Sequence, residues 1–452
     1  MTLSDLPRYD ADAVSTLGQR AVVVGASVAG LCAARVLEDA YEEVVILERD
    51  DLPAGPAIRD GAPQTSQPHS MLEAGRATLE AFFPGFERAV LDAGGLRLDM
   101  SRDVVWYDKG GPVAPSETDL PALHASRALF EHVLRERVRG RDGIRIRDGC
   151  HLIALTHDEA AGRVTGVRFR DERGRETTMD ADLTVDATGK ASRTPRWLAD
   201  HGYPDPEEER VEVGITYSTV RIDRPEDARR GLLIAPEPDR PRGAAMLPVE
   251  GGRWEVLLQG LHGERSPRDP DTFLKWADEL PLDDIATRLR EQTWRSDIQQ
   301  YPFPASVRRR YDRLSRYPDG LVVTGDAVAS FNPIYGQGMS VAALDALALH
   351  AAMRDGTAAL APRFFDRVAD VVDEAWGTAV RSDFVFERTT GPKPFATDLL
   401  NGYVDRLVRR SHDDGRLTEA FLRVFRMERP ATSLLRPGVL WRVFRPRFGP
   451  LG

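Results

Sequence analysis

Two glycine-rich turns, far apart in the chain, carry the residues with the clearest chemical purpose. The first is Gly25-Ala26-Ser27-Val28-Ala29-Gly30, and the acid-base pair Glu48-Arg49 follows, with Glu48 18 residues beyond Gly30. Glycines at the ends of such a turn permit a tight reversal and close helix packing, and the free N–H groups past it hold phosphate oxygens. Ser27 stands where a further glycine is usual; it is small enough to let a pyrophosphate approach the backbone, and it adds a hydroxyl. A carboxylate at Glu48 suits the hydroxyls of an unphosphorylated ribose, hence FAD or NAD rather than NADP. The second turn lies in PDGLVVTGDAVASFNPIYGQGMSVAALD, residues 318–345. There Gly325-Asp326 directly follows an apolar run, and Pro333, Gly336, Gly338 and Met339 lead into an alanine-rich helix. An acid beside glycine-rich backbone at a helix start suits a ribityl chain and the electron-rich edge of an isoalloxazine. NAD needs no second cradle, so the two turns together point to FAD.

The elements that must position these turns are readable from apolar runs. Residues 21–24 and 44–47 predict buried parallel strands flanking a helix over 31–37, a βαβ unit. A helix over 129–138, a meander over 144–155 and 163–169, and strands at 182–186 and 321–323 complete the pattern. Between 212 and 308, strand-length apolar or alternating runs separated by Pro and Gly predict an inserted mixed sheet roofed over the cofactor, with Tyr217, Met246, Trp254 and Leu258 as walls of a substrate pocket. Beyond 355 the chain reads as helical. The expected division is 18–211 and 309–355 for a discontinuous Rossmann-like FAD-binding domain, 212–308 for the substrate sheet and 356–452 for a helical region, an α/β fold overall.

Four stretches of this sequence resemble the FAD-dependent monooxygenases of the para-hydroxybenzoate-hydroxylase fold, most closely the squalene-epoxidase-like branch that includes bacterial polyether epoxidases. They are GASVAG with Glu48-Arg49, RDGAPQTSQPHSML from Arg59, HASRALFEHVL, and GDAVASFNPIYGQGMS; the resemblance spans about residues 18–350. It implies that Arg59 and Arg127 hold the diphosphate and adenine portions of FAD, and that Asp326 and Met339 contact its ribityl and flavin portions. His69 and Pro333 are expected on the substrate side. The reaction implied is insertion of one oxygen atom from O2, by epoxidation or hydroxylation through a flavin C4a-hydroperoxide, into a lipophilic polyketide or terpenoid intermediate. One dinucleotide turn leaves NADPH or NADH to bind transiently as reductant, or a separate flavin reductase to supply electrons. The sequence departs from the aromatic hydroxylases at Thr188, where their middle motif carries an acid, and Ser66-Gln67-Pro68 separates the Pro-Gln pair from His69. Rival readings within the fold are a reductase of isoprenoid double bonds, similar to geranylgeranyl reductases, and a non-catalytic escort. A flavin halogenase is disfavoured because the Trp-x-Trp-x-Ile-Pro pattern is absent.

Composition narrows the remaining classes. The 452 residues carry a net charge of −10, and of 61 basic residues only Lys109, Lys190, Lys275 and Lys393 are lysines. The arginines are interspersed with more numerous acids, which disfavours a nucleic-acid partner. The nine histidines show no metal-ligating spacing, and Cys32 and Cys150 form no CxxC pair, so no metal site or disulfide framework is expected. The polar N-terminus and the lack of long apolar runs give a cytoplasmic expectation. Arginines from Arg423 to Arg447, mixed with Phe, Leu and Trp441, raise contact with a membrane surface, which Pro430, Pro437 and Pro446 make the lesser expectation.

Overall fold

The computed structural model describes residues 1–446. Its centre is a parallel sheet whose strands lie in the order Leu321–Val323, Leu183–Asp186, Gly18–Val24, Tyr41–Leu47 and Ile144–Arg147. Ala21, Val22 and Val23 expose no surface, as an apolar run covered on both faces requires. Helix Val28–Leu37 packs behind the central strand, and helix Gly338–Met353 packs against it in turn. Every residue from Met339 to Met353 is buried, so this helix is apolar all round rather than striped. Gly30 makes the first packing step feasible, because a Cβ there would sit 1.9 Å from the carbonyl oxygen of Gly25.

The run expected as one meander element from 144 splits in two. Ile144–Arg147 extends the parallel sheet, the chain reverses through Gly149 at φ 60°, and His151–Asp158 starts an antiparallel sheet with Arg163–Arg170 and Glu176–Asp180. The positive φ at Gly149 is a conformation glycine adopts without a steric penalty.

A mixed sheet of eight strands covers the side where the two glycine-rich turns meet. Its order is Ala329–Ser330, Gln299–Arg309, Glu208–Asp223, Arg253–Gly260, Arg242–Val249, Gly231–Ile234, Val104–Asp108 and Gly111–Pro112. Residues 104–112 and 329–330 therefore join it from outside 212–308, and strands Glu208–Asp223 and Gln299–Arg309 run across the expected boundaries. A small sheet of Pro68–Met71, Pro121–Ser126 and Leu96–Asp99 adjoins it.

Helices Leu360–Asp383, Thr397–Ser411, Gly415–Phe425 and Pro437–Phe444 form the C-terminal region. Gly415–Phe425 ends in paired bonds, Met427 N–H to the Val424 carbonyl at 2.9 Å and Glu428 N–H to the Arg423 carbonyl at 3.0 Å. This is a Schellman ending, with Met427 at φ 58° in the place glycine usually takes. Among the described residues no helix is long and apolar enough to cross a membrane. Large exposed apolar side chains gather in this region, at Phe395, Leu399, Leu435, Trp441 and Phe444; Arg447 lies outside the described residues.

Gly30→Ala drives a methyl group into the Gly25 carbonyl, and overpacking of this kind costs about 1–3 kcal/mol. A lowered thermal unfolding midpoint together with lower flavin content in the purified variant is the expected result; unchanged values in both would contradict this packing.

Candidate functional site

A cleft of about 260 Å³ opens at the carboxyl ends of the parallel strands, between the Gly25–Gly30 turn, the Gly325–Met339 segment and one face of the eight-stranded sheet. That position is where open α/β sheets bind ligands. Ser27, Val28 and Ala29 line one end, and Arg127, His69, Asp326, Pro333, Gly336, Gly338 and Met339 line its length. The two turns touch directly: a Cβ on Gly325, held at φ 64°, would lie 2.7 Å from the Ala29 methyl. Gly25 takes φ 109°, and a Cβ there would meet the Ala187 carbonyl at 2.5 Å.

The charges beside the first turn form a connected cluster. Glu48 is buried at the end of its strand, where its carboxylate accepts the Ala26 N–H at 2.8 Å and the Asp50 N–H at 3.0 Å. Arg59 is ion-paired with Glu131, with Asp50 at 3.1 Å and with Glu48 at 3.5 Å. Arg127, the first residue of helix Arg127–Arg139, donates to the Ser27 hydroxyl at 2.9 Å and lies 3.5 Å from Glu131. Ser126 caps that helix through the Leu129 N–H, and its own N–H and hydroxyl bind Glu250, in the turn between strands Arg242–Val249 and Arg253–Gly260 of the large sheet. The helix carrying Arg127 is thus tied to the sheet that walls the cleft. Arg49 is not brought in: its side chain is 60% exposed and faces Asp50 at 3.7 Å.

The groups present fit FAD. Helices Val28–Leu37 and Gly338–Met353 both begin on the cleft without a side-chain cap, so their first N–H groups are open to an anion or an electron-rich ring edge. The Nε groups of Arg59 and Arg127 are buried without a hydrogen bond, that of Arg127 lying 3.5 Å from Glu131. A Cβ at Gly336 or Gly338 would meet nothing within 4 Å, so the backbone there faces open space of the kind a planar ring system fills. Asp326 looks into the cleft, yet the protein around it pushes its carboxyl above the usual range, opposed by Arg127 and Lys190.

Two buried acids that the sequence reading passed over hold the second turn in shape. Asp345, with no exposed surface, accepts the Gly325 N–H at 3.1 Å, and burial pushes its carboxyl up to about 7. Asp383, the last residue of helix Leu360–Asp383, accepts from the Asn332 amide at 2.6 Å and the Tyr335 hydroxyl at 3.2 Å. Burial also raises its carboxyl to about 7. In the middle motif, Asp186 accepts the Thr188 N–H and hydroxyl and the hydroxyls of Ser192 and Thr194. Thr188 is consumed in holding its own turn.

His69 bonds the Gln67 carbonyl through Nδ1 at 2.8 Å; a carbonyl partner requires the proton on Nδ1, which leaves Nε2 as an acceptor. Burial and the Arg127 charge draw its pKa down to about 3, so the ring is neutral. Gln67 is fixed in turn by the Thr219 hydroxyl at 2.7 Å.

Tyr217 lies on the cleft, but Met246, Trp254 and Leu258 do not. They form a separate apolar layer on the opposite face of the sheet with Phe273, Trp276 and Ile285. The cause is strand alternation: the neighbours Ala245, Leu247, Leu257 and Gln259 face the cleft instead, with Tyr301 and Phe303 beside them. Tyr217 opposite Gln259, and Leu257 opposite Ala245, fix that register. Phe425 closes another side from the C-terminal region, a contribution no motif announced.

Comparison with known proteins agrees with this geometry. The family described as FAD binding domain matches residues 116–358, more than half of the chain. This chain belongs to that flavoprotein family. It is 33% identical over 421 residues to Protein Rv3254 of Mycobacterium tuberculosis, covering 90% of this chain and 89% of that protein. It is also similar to digeranylgeranylglycerophospholipid reductase 1 of Methanopyrus kandleri, at 25% over 330 residues (71% of this chain, 76% of the relative). Squalene monooxygenase 1,2 of Brassica napus is 26% identical over 352 residues, covering 74% of this chain and 60% of the relative. Among solved structures, p-nitrophenol 4-monooxygenase PnpA from Pseudomonas putida DLL-E4 superposes with a TM-score of 0.64 at 17% identity, over 92% of this chain and 99% of that one. The fold is therefore that of the FAD-dependent monooxygenases of the para-hydroxybenzoate-hydroxylase type, and the squalene-monooxygenase similarity bears out the expected branch.

A buried carboxyl raised to about 7 holds a proton in the folded chain that the unfolded chain releases near pH ~4. Folding stability contributed by Asp345 is therefore present at low pH and lost as pH rises through that window. Asp345→Asn keeps an acceptor for the Gly325 N–H but never ionises. Urea unfolding at about pH 5 and about pH 8 should show the variant gaining on the parent protein at the higher pH.

Proposed function

We propose that this flavoprotein is an FAD-dependent monooxygenase that places one oxygen atom from O2 into a lipophilic polyketide or terpenoid by epoxidation or hydroxylation, working in the cytoplasm. The observation that carries this reading is the continuity of the cleft: the open backbone at Gly336 and Gly338, the cradle where the flavin ring would sit, lines the same space as an apolar wall of Leu247, Leu257 and Phe303. Bound FAD would supply the redox chemistry that activates O2. The residues of this chain bind, orient and exclude water. Arg59, Arg127 and the open helix starts at Val28 and Gly338 hold the dinucleotide, with Glu48 near its ribose and Asp326 at the ribityl chain. Pro333 and Tyr217 back the ring side, and the sheet wall keeps water from the reacting centre, which favours oxygen transfer over wasteful breakdown.

His69 gives the cleft a fixed polar contact. Its neutral ring, oriented by Gln67, presents an acceptor to a hydroxyl on the substrate. Reducing equivalents would come from NADPH or NADH docking transiently or from a separate flavin reductase. The similarity to the digeranylgeranylglycerophospholipid reductase of Methanopyrus kandleri favours a second reading, in which the same cradle serves to reduce a double bond and oxygen is not used.

The purified protein should show flavin bands at roughly 370 and 450 nm. Incubated with NADPH and a panel of terpenoid and polyketide alkenes under isotopically labelled O2, it should give product carrying the label. Product reduced but unlabelled would replace the monooxygenase reading with the reductase one, and colourless protein that takes up no FAD would remove both. His69→Phe should retain the flavin spectrum while labelled product falls by about 10- to 100-fold, the scale of a misplaced substrate.

A further inference from the structure

We infer that Phe425, supplied by a helix outside the FAD-binding family region, sets the length of apolar molecule that the cleft accepts. The inference rests on the reading of this cleft as the substrate site. Phe425 is half-buried and lines the cleft beside Leu72, Met100 and Leu233. Its ring meets Trp106 edge-on, with centroids 4.7 Å apart, and Trp106 also meets Phe421 at 5.6 Å. The aromatic stop is therefore backed by the buried Trp106 ring, itself flanked by the half-buried Phe421, and cannot rotate freely out of the way.

The backbone at Phe425 is held equally firmly. Arg426, 1% exposed, donates to the Pro121 carbonyl at 2.7 Å and pairs with Glu73 at 3.2 Å. Met427 is kept in the left-handed region at φ 58° while its side chain stays 1% exposed, a conformation that disfavours a non-glycine residue unless the surroundings enforce it. At the start of the same helix, a Cβ on Gly415 would lie 2.1 Å from the Pro115 carbonyl, and just before it the Ser411 carbonyl, at the end of helix Thr397–Ser411, accepts the Ala114 N–H at 2.8 Å. These contacts fix the helix against the hairpin that carries Trp106. Its end also touches the flavin cradle, through the Gln337 side-chain amide to the Phe425 carbonyl at 3.4 Å. A wall so anchored cannot yield to a longer ligand, so the ring acts as a stop.

A homologous series of linear primary alcohols tests this on the FAD-loaded protein, with perturbation of the flavin absorbance bands as the readout. Affinity should rise by about fourfold per methylene until the chain meets Phe425, and then stop rising. Phe425→Ala vacates six ring carbons, room for about four methylenes at protein packing density, so the break should move to longer alcohols by about that amount. Phe425→Leu should move it less, and Phe425→Trp should move it to shorter ones; these two also report if the alanine variant does not fold. The same break in all variants that hold FAD would overturn the inference while leaving the cleft an apolar site. Loss of FAD from all three would overturn it by making Phe425 part of the cofactor cradle. Alcohols of any length leaving the parent protein's flavin bands unchanged would overturn both this inference and the reading of the cleft on which it rests.

Discussion

The architecture depends on backbone meeting backbone at the carboxyl edge of the parallel sheet. Helix Val28–Leu37 can lie against its strand only because Gly30 offers no Cβ to the Gly25 carbonyl, and the second turn can nest against the first only because Gly325 offers none to Ala29. Those two approaches bring the starts of two uncapped helices to one cleft. Everything beyond them is support. Asp345 holds Gly325 from beneath, Asp186 knots the turn between them, and Asp383 ties the Asn332–Tyr335 loop to the C-terminal region.

Charge is managed by the same economy of partners. Arg59 and Arg127 do not stand free beside the first turn; Glu48, Asp50 and Glu131 share them. A diphosphate arriving there would exchange carboxylate contacts for phosphate contacts, so its net gain would be smaller than the count of arginines implies. The Nε groups left without a hydrogen bond and the open helix N–H donors would tip that exchange toward binding. Many other arginines form ion pairs on the surface, such as Arg88 with Asp92 and Arg290 with Asp278, which contribute little each.

The sequence made the cofactor half of the molecule legible because its constraints are local. A glycine that must be a glycine, an acid at a strand end and an apolar run of strand length are all visible within a few residues. The sheet wall of the cleft was less legible for a physical reason. In strand Arg253–Gly260 both faces are buried, so Val256, Leu257 and Leu258 are all apolar and alternation does not say which points inward. Leu258 was expected on the cleft and Leu257 is there. Phe425 and Asp383 were invisible for another reason: each acts through contacts with residues far away in the chain, and nothing near either marks it. Asp383 in particular ends an amphipathic helix, where an acid reads as a solvated one.

The placement of Phe425 also orders events during synthesis. Both glycine turns and all eight strands of the covering sheet precede residue 340, whereas the last wall of the cleft is made about eighty residues later. A nascent chain can therefore assemble its dinucleotide cradle while the cleft still gapes on one side. Until the final helices are in place, the Phe425 side of the cleft has no wall, although the turns at its other side already stand in the chain.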